Sequence, residues 1–198
     1  VVSTDAAVTG NLSLVPYGVQ RLRQWTGNKK PVWTCIECTH ISNPDILPTS
    51  TQIKAEVWMA LIHGSMGLVY FSHQFAPNFV EAGLFEHEDI AAAVSDINHQ
   101  ITGLAPVLNR PSLPKAAWVK SSSQDVELAM MVKKDADATY LFVVAMQDAE
   151  TTGVFTVDNL TGVKTVEVMG EERSLTATDG KFTDNFAGYE VHLYRIAN

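Results

Sequence analysis

The chain has 198 residues, 46% of them hydrophobic and 18% charged, which is ordinary globular composition with length for one large domain or two small ones. Its 14 Lys plus Arg against 22 Asp plus Glu give a formal net charge of -8 with no basic stripe, which excludes nucleic acid as a partner. No apolar run approaches the roughly 20 residues of a membrane-spanning helix, and Val1-Val2-Ser3-Thr4-Asp5 lacks the charged start and apolar stretch of a signal peptide, so the chain reads as soluble and not membrane-bound, with no compartment assigned.

Residues 16–25 carry Val19, Leu22 and Trp25 at helical spacing and stop at Gly27, which predicts a first helix. Pro31 then introduces Val32-Trp33-Thr34-Cys35-Ile36, a β-branched and aromatic run that reads as a buried strand with Glu37 at its C-terminal end. Cys35 and Cys38 form a C-x-x-C here. Residues three apart on a strand point to opposite faces, so a disulfide between them is sterically poor, and two thiols fall short of the four ligands of a structural zinc site. No metal or cofactor is expected.

Thr49-Ser50-Thr51-Gln52 has the form of a capping box opening a helix to His63, with Ile53, Val57, Ala60 and Leu61 on one face and Gly64 as its terminator. Leu68-Val69-Tyr70-Phe71-Ser72 follows as another short apolar strand. Ile90, Val94, Ile97, Ile101 and Leu104 then repeat at steps of four and three, the strongest helical signal in the chain. Three prolines between Pro106 and Pro114 end that pattern and mark a connector, dividing the chain into 1–109 and 110–198. Apolar strands alternating with amphipathic helices imply parallel β/α units in the first part. The second part reads as all-β, with strands over residues 125–133, 139–146, 154–157, 165–168 and 189–194 forming a small β-sandwich. The expected fold class is α/β followed by all-β.

A carboxylate at the C-terminal end of a buried parallel strand occupies the place where α/β barrels put their catalytic groups, which makes Glu37 the first candidate for chemistry. His73, after the second strand, is placed to hydrogen-bond a sugar hydroxyl or Glu37, and His40, in the loop after Glu37, has similar geometry. Trp33 shares the parity of Glu37, so both are expected to point to one face, with Trp33 deeper. His63 closes a helix and is expected to bond its last carbonyls. Gly64-Ser65-Met66-Gly67 has part of the form of a serine-hydrolase elbow, but His63 holds the first glycine position and the turn runs from helix to strand.

Lys30-Pro31-Val32-Trp33-Thr34-Cys35-Ile36-Glu37, the capped helix, and Gly64-Ser65-Met66-Gly67-Leu68-Val69-Tyr70-Phe71-Ser72-His73 resemble strands seven and eight of the retaining (β/α)8-barrel glycosidases of the cellulase and β-galactosidase clan. Asp184-Asn185-Phe186-Ala187-Gly188-Tyr189-Glu190-Val191-His192-Leu193-Tyr194-Arg195 is similar to the closing strand of the β-sandwich appended to many of them. The resemblance implies a partial (β/α)8 (TIM) barrel segment with a C-terminal β-sandwich, hydrolysis of β-linked glycosides, a carbohydrate substrate, and Glu37 as nucleophile. Two departures stand out. The strand-four Glu that serves the clan as acid/base is absent, and the strand-eight Trp platform is missing, with Phe71, His73 and Phe75 the nearest aromatic substitutes. Retaining hydrolysis needs two carboxyl groups about 5 Å apart. Glu81, Glu86 and Glu88, in the loop after Ser72, are the candidates for a second.

The chain is therefore expected to be incomplete alone, either lacking an N-terminal barrel portion or pairing as a homo-oligomer through strand edges and the face built from Leu22, Val57, Leu61, Ile97 and Ile101. The rival functions are a non-catalytic carbohydrate-binding or scaffold protein, and a hydrolase of another bond, such as an ester, around His73 or Ser65.

Overall fold

The computed structural model describes residues 10–198, so the stretch Val1-Val2-Ser3-Thr4-Asp5 lies outside the described residues. The chain divides into two compact units, 1–101 and 102–198.

In the first unit, helix α1 (Leu14–Trp25) is followed by strand β1 (Trp33–Glu37), helix α2 (Ser50–Ile62), strand β2 (Gly67–Phe71), a 3-10 turn (Gly83–Glu86) and helix α3 (Glu88–Leu108), whose last residues belong to the second unit. The strand-to-strand crossover through α2 makes β1 and β2 parallel, with Trp33 opposite Gly67 and Glu37 opposite Phe71. The capping box forms as the sequence requires: the Thr49 hydroxyl accepts from the Gln52 amide, and the Gln52 side chain accepts from the Thr49 amide at 2.9 Å. Gly64 takes a φ of 98°, a left-handed conformation that a side chain would resist. The core gathers Ile36 and Cys38 from β1 and its end, Ile53 and Val57 from α2, and Ile90, Val94 and Ile97 from α3.

Three expectations need correction in this unit. The helix α3 does not stop at Pro106 but carries it to Leu108, as a proline near a helix end removes a single hydrogen bond. Val57 and Ile97 are buried in the unit's own core and Leu61 and Ile101 pack against it, while Leu22 is half-buried, so four residues of the expected face are used by that core. Trp33 is 53% exposed instead of lying in a core. Its ring rests over Gly67, where a Cβ would come within 2.9 Å of the ring, so that residue must be glycine for the indole to lie there.

The second unit is all-β, with β3 (Ala117–Ser121), β4 (Leu128–Lys134), β5 (Ala138–Ala145), β6 (Thr151–Val157), β7 (Val163–Val168), β8 (Arg173–Thr178), β9 (Lys181–Phe186) and β10 (Val191–Ala197). Their order is β3-β6-β9-β8-β7-β10-β5-β4, antiparallel throughout. Strands β8 and β9 share only the pair Thr178 and Lys181, around an Asp179-Gly180 turn with φ of 47° and 76°. The end strands β3 and β4 approach one another, so the expected sandwich is one antiparallel sheet that curls back and nearly closes on itself. Phe155 on β6 makes the layers meet: its ring stacks on Phe182 at 4.5 Å and meets Tyr194 of the opposing layer edge-on at 5.3 Å.

Strands β3, β8 and β9 were not expected from the sequence. The last two are short and largely polar on their outer positions, yet Asp-Gly between them is a strong hairpin signal. A charged cluster lies at the other end of β8, where that strand begins. Arg173 grips Asp184 with two bonds of 3.0 and 2.9 Å and Glu171 with one of 2.8 Å, Tyr194 donates to Asp184 at 2.9 Å, and the buried His192 lies against Glu171. These partners hold the Arg173 guanidinium firmly protonated, and burial and the Asp184 charge hold the Tyr194 phenol so too.

Phe155 is fully buried between the layers, so Phe155→Ala should cost about 3–5 kcal/mol by combined loss of burial and cavity formation. A urea unfolding curve whose midpoint barely moves would show that the two layers do not depend on that ring.

Candidate functional site

Parallel pairing of Glu37 with Phe71 brings the C-terminal ends of β1 and β2 level, and side chains lace the segments that leave them. The Cys38 thiol donates to the Phe71 carbonyl at 3.1 Å and the Thr39 hydroxyl to the His73 carbonyl at 2.7 Å. The amides of Phe75 and Ala76 both donate to the His40 carbonyl, at 3.0 and 3.3 Å. Residues 38–40 and 71–76 therefore form one rim, in which buried donors find acceptors across the two strands.

Two of the expected site residues share that rim. His40 donates from Nδ1 to the Ile46 carbonyl at 2.7 Å, and its ring meets His87 edge-on at 5.3 Å. His73 donates from Nδ1 to the Glu81 carbonyl, which fixes its tautomer and leaves Nε2 as an acceptor in the neutral ring. Around His73 the rings gather: Phe71 at 5.9 Å, Phe79 at 5.9 Å, and Phe75 stacked on Phe71 at 5.8 Å. Phe75 and Phe79 are 49% and 62% exposed, so an aromatic patch faces outward beside the strand ends. Phe79 was not singled out from the sequence. Trp33 lies at the opposite end of β1 from this rim.

Glu37 is only 3% exposed, and its carboxyl is hydrogen-bonded to that of Glu56, a residue of α2 that is 1% exposed. Burial, and after it the charge and hydrogen bond of Glu37, push the Glu56 carboxyl up to about 9. Glu56 is the residue that sequence reasoning missed. The signal was present: Ala55-Glu56-Val57-Trp58-Met59-Ala60-Leu61-Ile62 contains one charge in an otherwise apolar helical run. Glu81, Glu86 and Glu88, the carboxylates expected to assist Glu37, are all exposed. A hydrogen-bonded carboxyl also stands too close to serve as the second group of a retaining pair, whose members are about 5–5.5 Å apart.

The thiols are not reactive. Burial, followed by the charges of Cys35, Glu37 and Glu56, pushes Cys38 up to about 12, and burial raises Cys35, so both stay protonated and unbridged. Among the described residues no group of three or more His, Cys, Asp or Glu side chains is placed to hold a metal ion.

Ser65 sits at the other end of the strands, 7% exposed, accepting from the Thr34 hydroxyl at 2.8 Å and placed to donate to the Gly67 carbonyl at 2.9 Å. It ties the starts of β1 and β2 together, and none of these contacts is a base. His63 bonds the Met59 carbonyl at 2.7 Å, as its place at the end of α2 implied. In the second unit a cavity of about 710 Å³ is bordered by Lys115, Lys134, Lys164, Leu113, Leu160 and Asn198. Among the described residues no helix is long and apolar enough to cross a membrane.

No family model matches the chain, and no curated protein does. Solved structures do. The chain is similar to an α-amylase from Geobacillus thermoleovorans complexed with acarbose, at 13% identity and a TM-score of 0.62, over 98% of this chain and 46% of that one. It is similar to AmyP E221Q in complex with maltotriose, at 8% identity and a TM-score of 0.61, over 98% and 47% of the two chains. The maltogenic α-amylase AmyB from Thermotoga neapolitana matches at 7% identity and a TM-score of 0.57, over 93% and 46%. The chain spans under half the length of these structures, and what it shares with them is the fold over that span.

Proposed function

We propose that this chain is the Glu37-bearing part of a retaining (β/α)8-barrel glycosidase, with residues 1–109 contributing two barrel strands and residues 110–198 the appended sandwich. The observation that carries the reading is the position of Glu37: a buried carboxyl ending a parallel strand, level with a rim that exposes Phe75 and Phe79. The fold shared with glycosidases, over less than half of their length, supports it, as do the unpaired outer edges of β1 and β2 among the described residues.

In this reading the Glu37 carboxylate attacks the anomeric carbon. The bond to the leaving oxygen breaks, and that oxygen takes a proton from an acid supplied by a barrel strand outside this sequence. His73 and His40 bond sugar hydroxyls, each through the ring nitrogen that its Nδ1 contact leaves available. Phe75 and Phe79 stack against the apolar face of a sugar ring, the combination of apolar surface and few polar groups that ligand sites use. Trp33, four residues and about 13 Å before Glu37, lines the barrel interior. The missing barrel strands, or a second copy of the chain, cover the open face on which Trp33 and Val69 stand exposed. The motifs favour β-linked glycosides, and the acarbose and maltotriose held by the similar structures make α-glucosides the second substrate class to try.

A second reading is favoured by one observation. The Glu37 carboxyl is turned to another carboxyl and buried, as suits a protein that binds carbohydrate without cleaving it.

Dinitrophenyl glycosides of both anomers separate the two, because their leaving group needs no proton. We expect turnover of these substrates that Glu37→Gln abolishes, while unactivated glycosides, whose leaving oxygen has to be protonated, should be cleaved about 10²–10⁴-fold more slowly than by a complete enzyme. Saturable oligosaccharide binding with no turnover on any aryl glycoside would establish the binding protein instead. Phe75→Ala should weaken sugar binding about tenfold in either case, by loss of one stacked ring. Isothermal titration calorimetry reads that loss.

A further inference from the structure

We propose that Glu56 is a positioning residue for Glu37, supplying the single proton that the two buried carboxyls share, so that Glu37 is held at the end of β1 as the ionised, hydrogen-bonded partner. The role given to Glu37 rests on the glycosidase reading above. The shared proton does not.

The geometry comes first. Two carboxyls from different elements, β1 and α2, meet in a hydrogen bond where both are almost fully buried, at 3% and 1% exposure. Two carboxylates cannot both be ionised at that distance, since like charges without solvent between them repel strongly and neither would have a donor to offer. One proton must lie in the pair. Glu56 is its holder because Oε1 of Glu56 has no hydrogen-bond partner among the described residues, so a full charge on this carboxyl would be left unsolvated.

Among the described residues no cation acts on Glu56, on which burial and Glu37 alone bear. From β1 and its end come Glu37 itself and the protonated thiols of Cys35 and Cys38. From β2 comes Tyr70, whose phenol burial keeps protonated and which donates to Asn98 of α3 at 3.1 Å. The cations of α1 are engaged elsewhere: Arg21 lies over the Tyr17 and Trp25 rings, and Arg23 donates to the Gly64 carbonyl at 2.9 Å. His99 and the acids of α3, Glu88, Asp89 and Asp96, are exposed, and Lys54, on α2 itself, does not act on Glu56.

The pairing has a thermodynamic consequence with a definite sign. Glu56 ionises at about 9 in the folded chain against 4.5 without its environment, so the folded state keeps a proton that the unfolded chain releases. The stabilisation is complete below 4.5 and is lost as pH rises through about 9. Glu56→Gln keeps a donor toward Glu37 but has nothing to ionise, whereas Glu56→Leu keeps the bulk and removes the donor.

Three readouts on the full chain test this. Carboxyl-carbon NMR should show one glutamate titrating far above the ordinary carboxylate range, and that signal should vanish in Glu56→Gln. Urea midpoints should fall with pH over the 4.5-to-9 window in the wild type and stay nearly level in Glu56→Gln. Labelling by a glycosyl fluoride, read as intact mass, reports Glu37 itself: its carboxylate oxygen bonds to the anomeric carbon as the carbon–fluorine bond breaks and fluoride departs, with no acid required. Glu56→Gln should label like the wild type at neutral pH, while Glu56→Leu, still folded by circular dichroism, should label at least about tenfold more slowly because the carboxylate is no longer aimed. Titration of both glutamates in the ordinary range, or undiminished labelling in Glu56→Leu, overturns the proposal. An alkaline-titrating Glu56 in a chain that no glycosyl fluoride labels would sink the glycosidase reading and leave the shared proton standing.

Discussion

Parallel pairing of β1 with β2 is the constraint from which the first unit follows. Parallel strands cannot be joined by a tight turn, so the chain must cross over through α2, and that crossover fixes which ends of the strands coincide. Register then decides the neighbours. With Glu37 opposite Phe71, everything leaving β1 meets everything leaving β2, and the Cys38, Thr39 and His40 bonds to residues 71–76 are the result. A slip of one residue would exchange the two faces of the strand and send Ile36, now in the core, to the open side. The rim exists because the register does.

The same crossover explains why a carboxyl can stand in the middle of α2. A helix that packs across a strand has to turn part of its surface toward the strand, and on α2 that surface includes Ile53, Val57 and Glu56. An isolated glutamate there would be a severe cost. Sharing a proton with Glu37 turns two costly groups into one hydrogen-bonded unit with a single charge. The arrangement suits a carboxylate with a task, since a residue seated this way cannot be replaced by an apolar one without stranding its partner.

How much of this was legible in the sequence depended on whether the signal was local. The capping box at Thr49 and Gln52, the glycine at 64 and the period of Ile90, Val94 and Ile97 are local signals, and each element they announced is present. Strands β8 and β9 were overlooked because their outward positions are polar and their apolar positions few, although Asp179-Gly180 marked the turn between them. Glu37 was visible because a carboxyl ending an apolar strand is conspicuous. Glu56 was hidden because helical periodicity was read through its apolar neighbours, and its partner lies nineteen positions away in sequence, joined to it only by the crossover. Trp33 was misplaced for a related reason: parity along a strand says which side a residue faces, but what covers that side is decided by other strands.

That last point bears on function. Among the described residues the two-stranded parallel sheet has no further strand on either edge, and Trp33 and Val69 stand partly open to solvent. Parallel sheets as a class are covered on both faces, because their strands are apolar on both sides. In the glycosidase reading proposed above, the cover brings more parallel strands whose C-terminal ends lie level with Glu37. A second carboxyl about 5 Å away, which a retaining glycosidase needs and which the exposed Glu81, Glu86 and Glu88 do not supply, would arrive on one of those ends. In that reading the open face and the second carboxyl have one answer, since a strand that covers the first is positioned to bring the second.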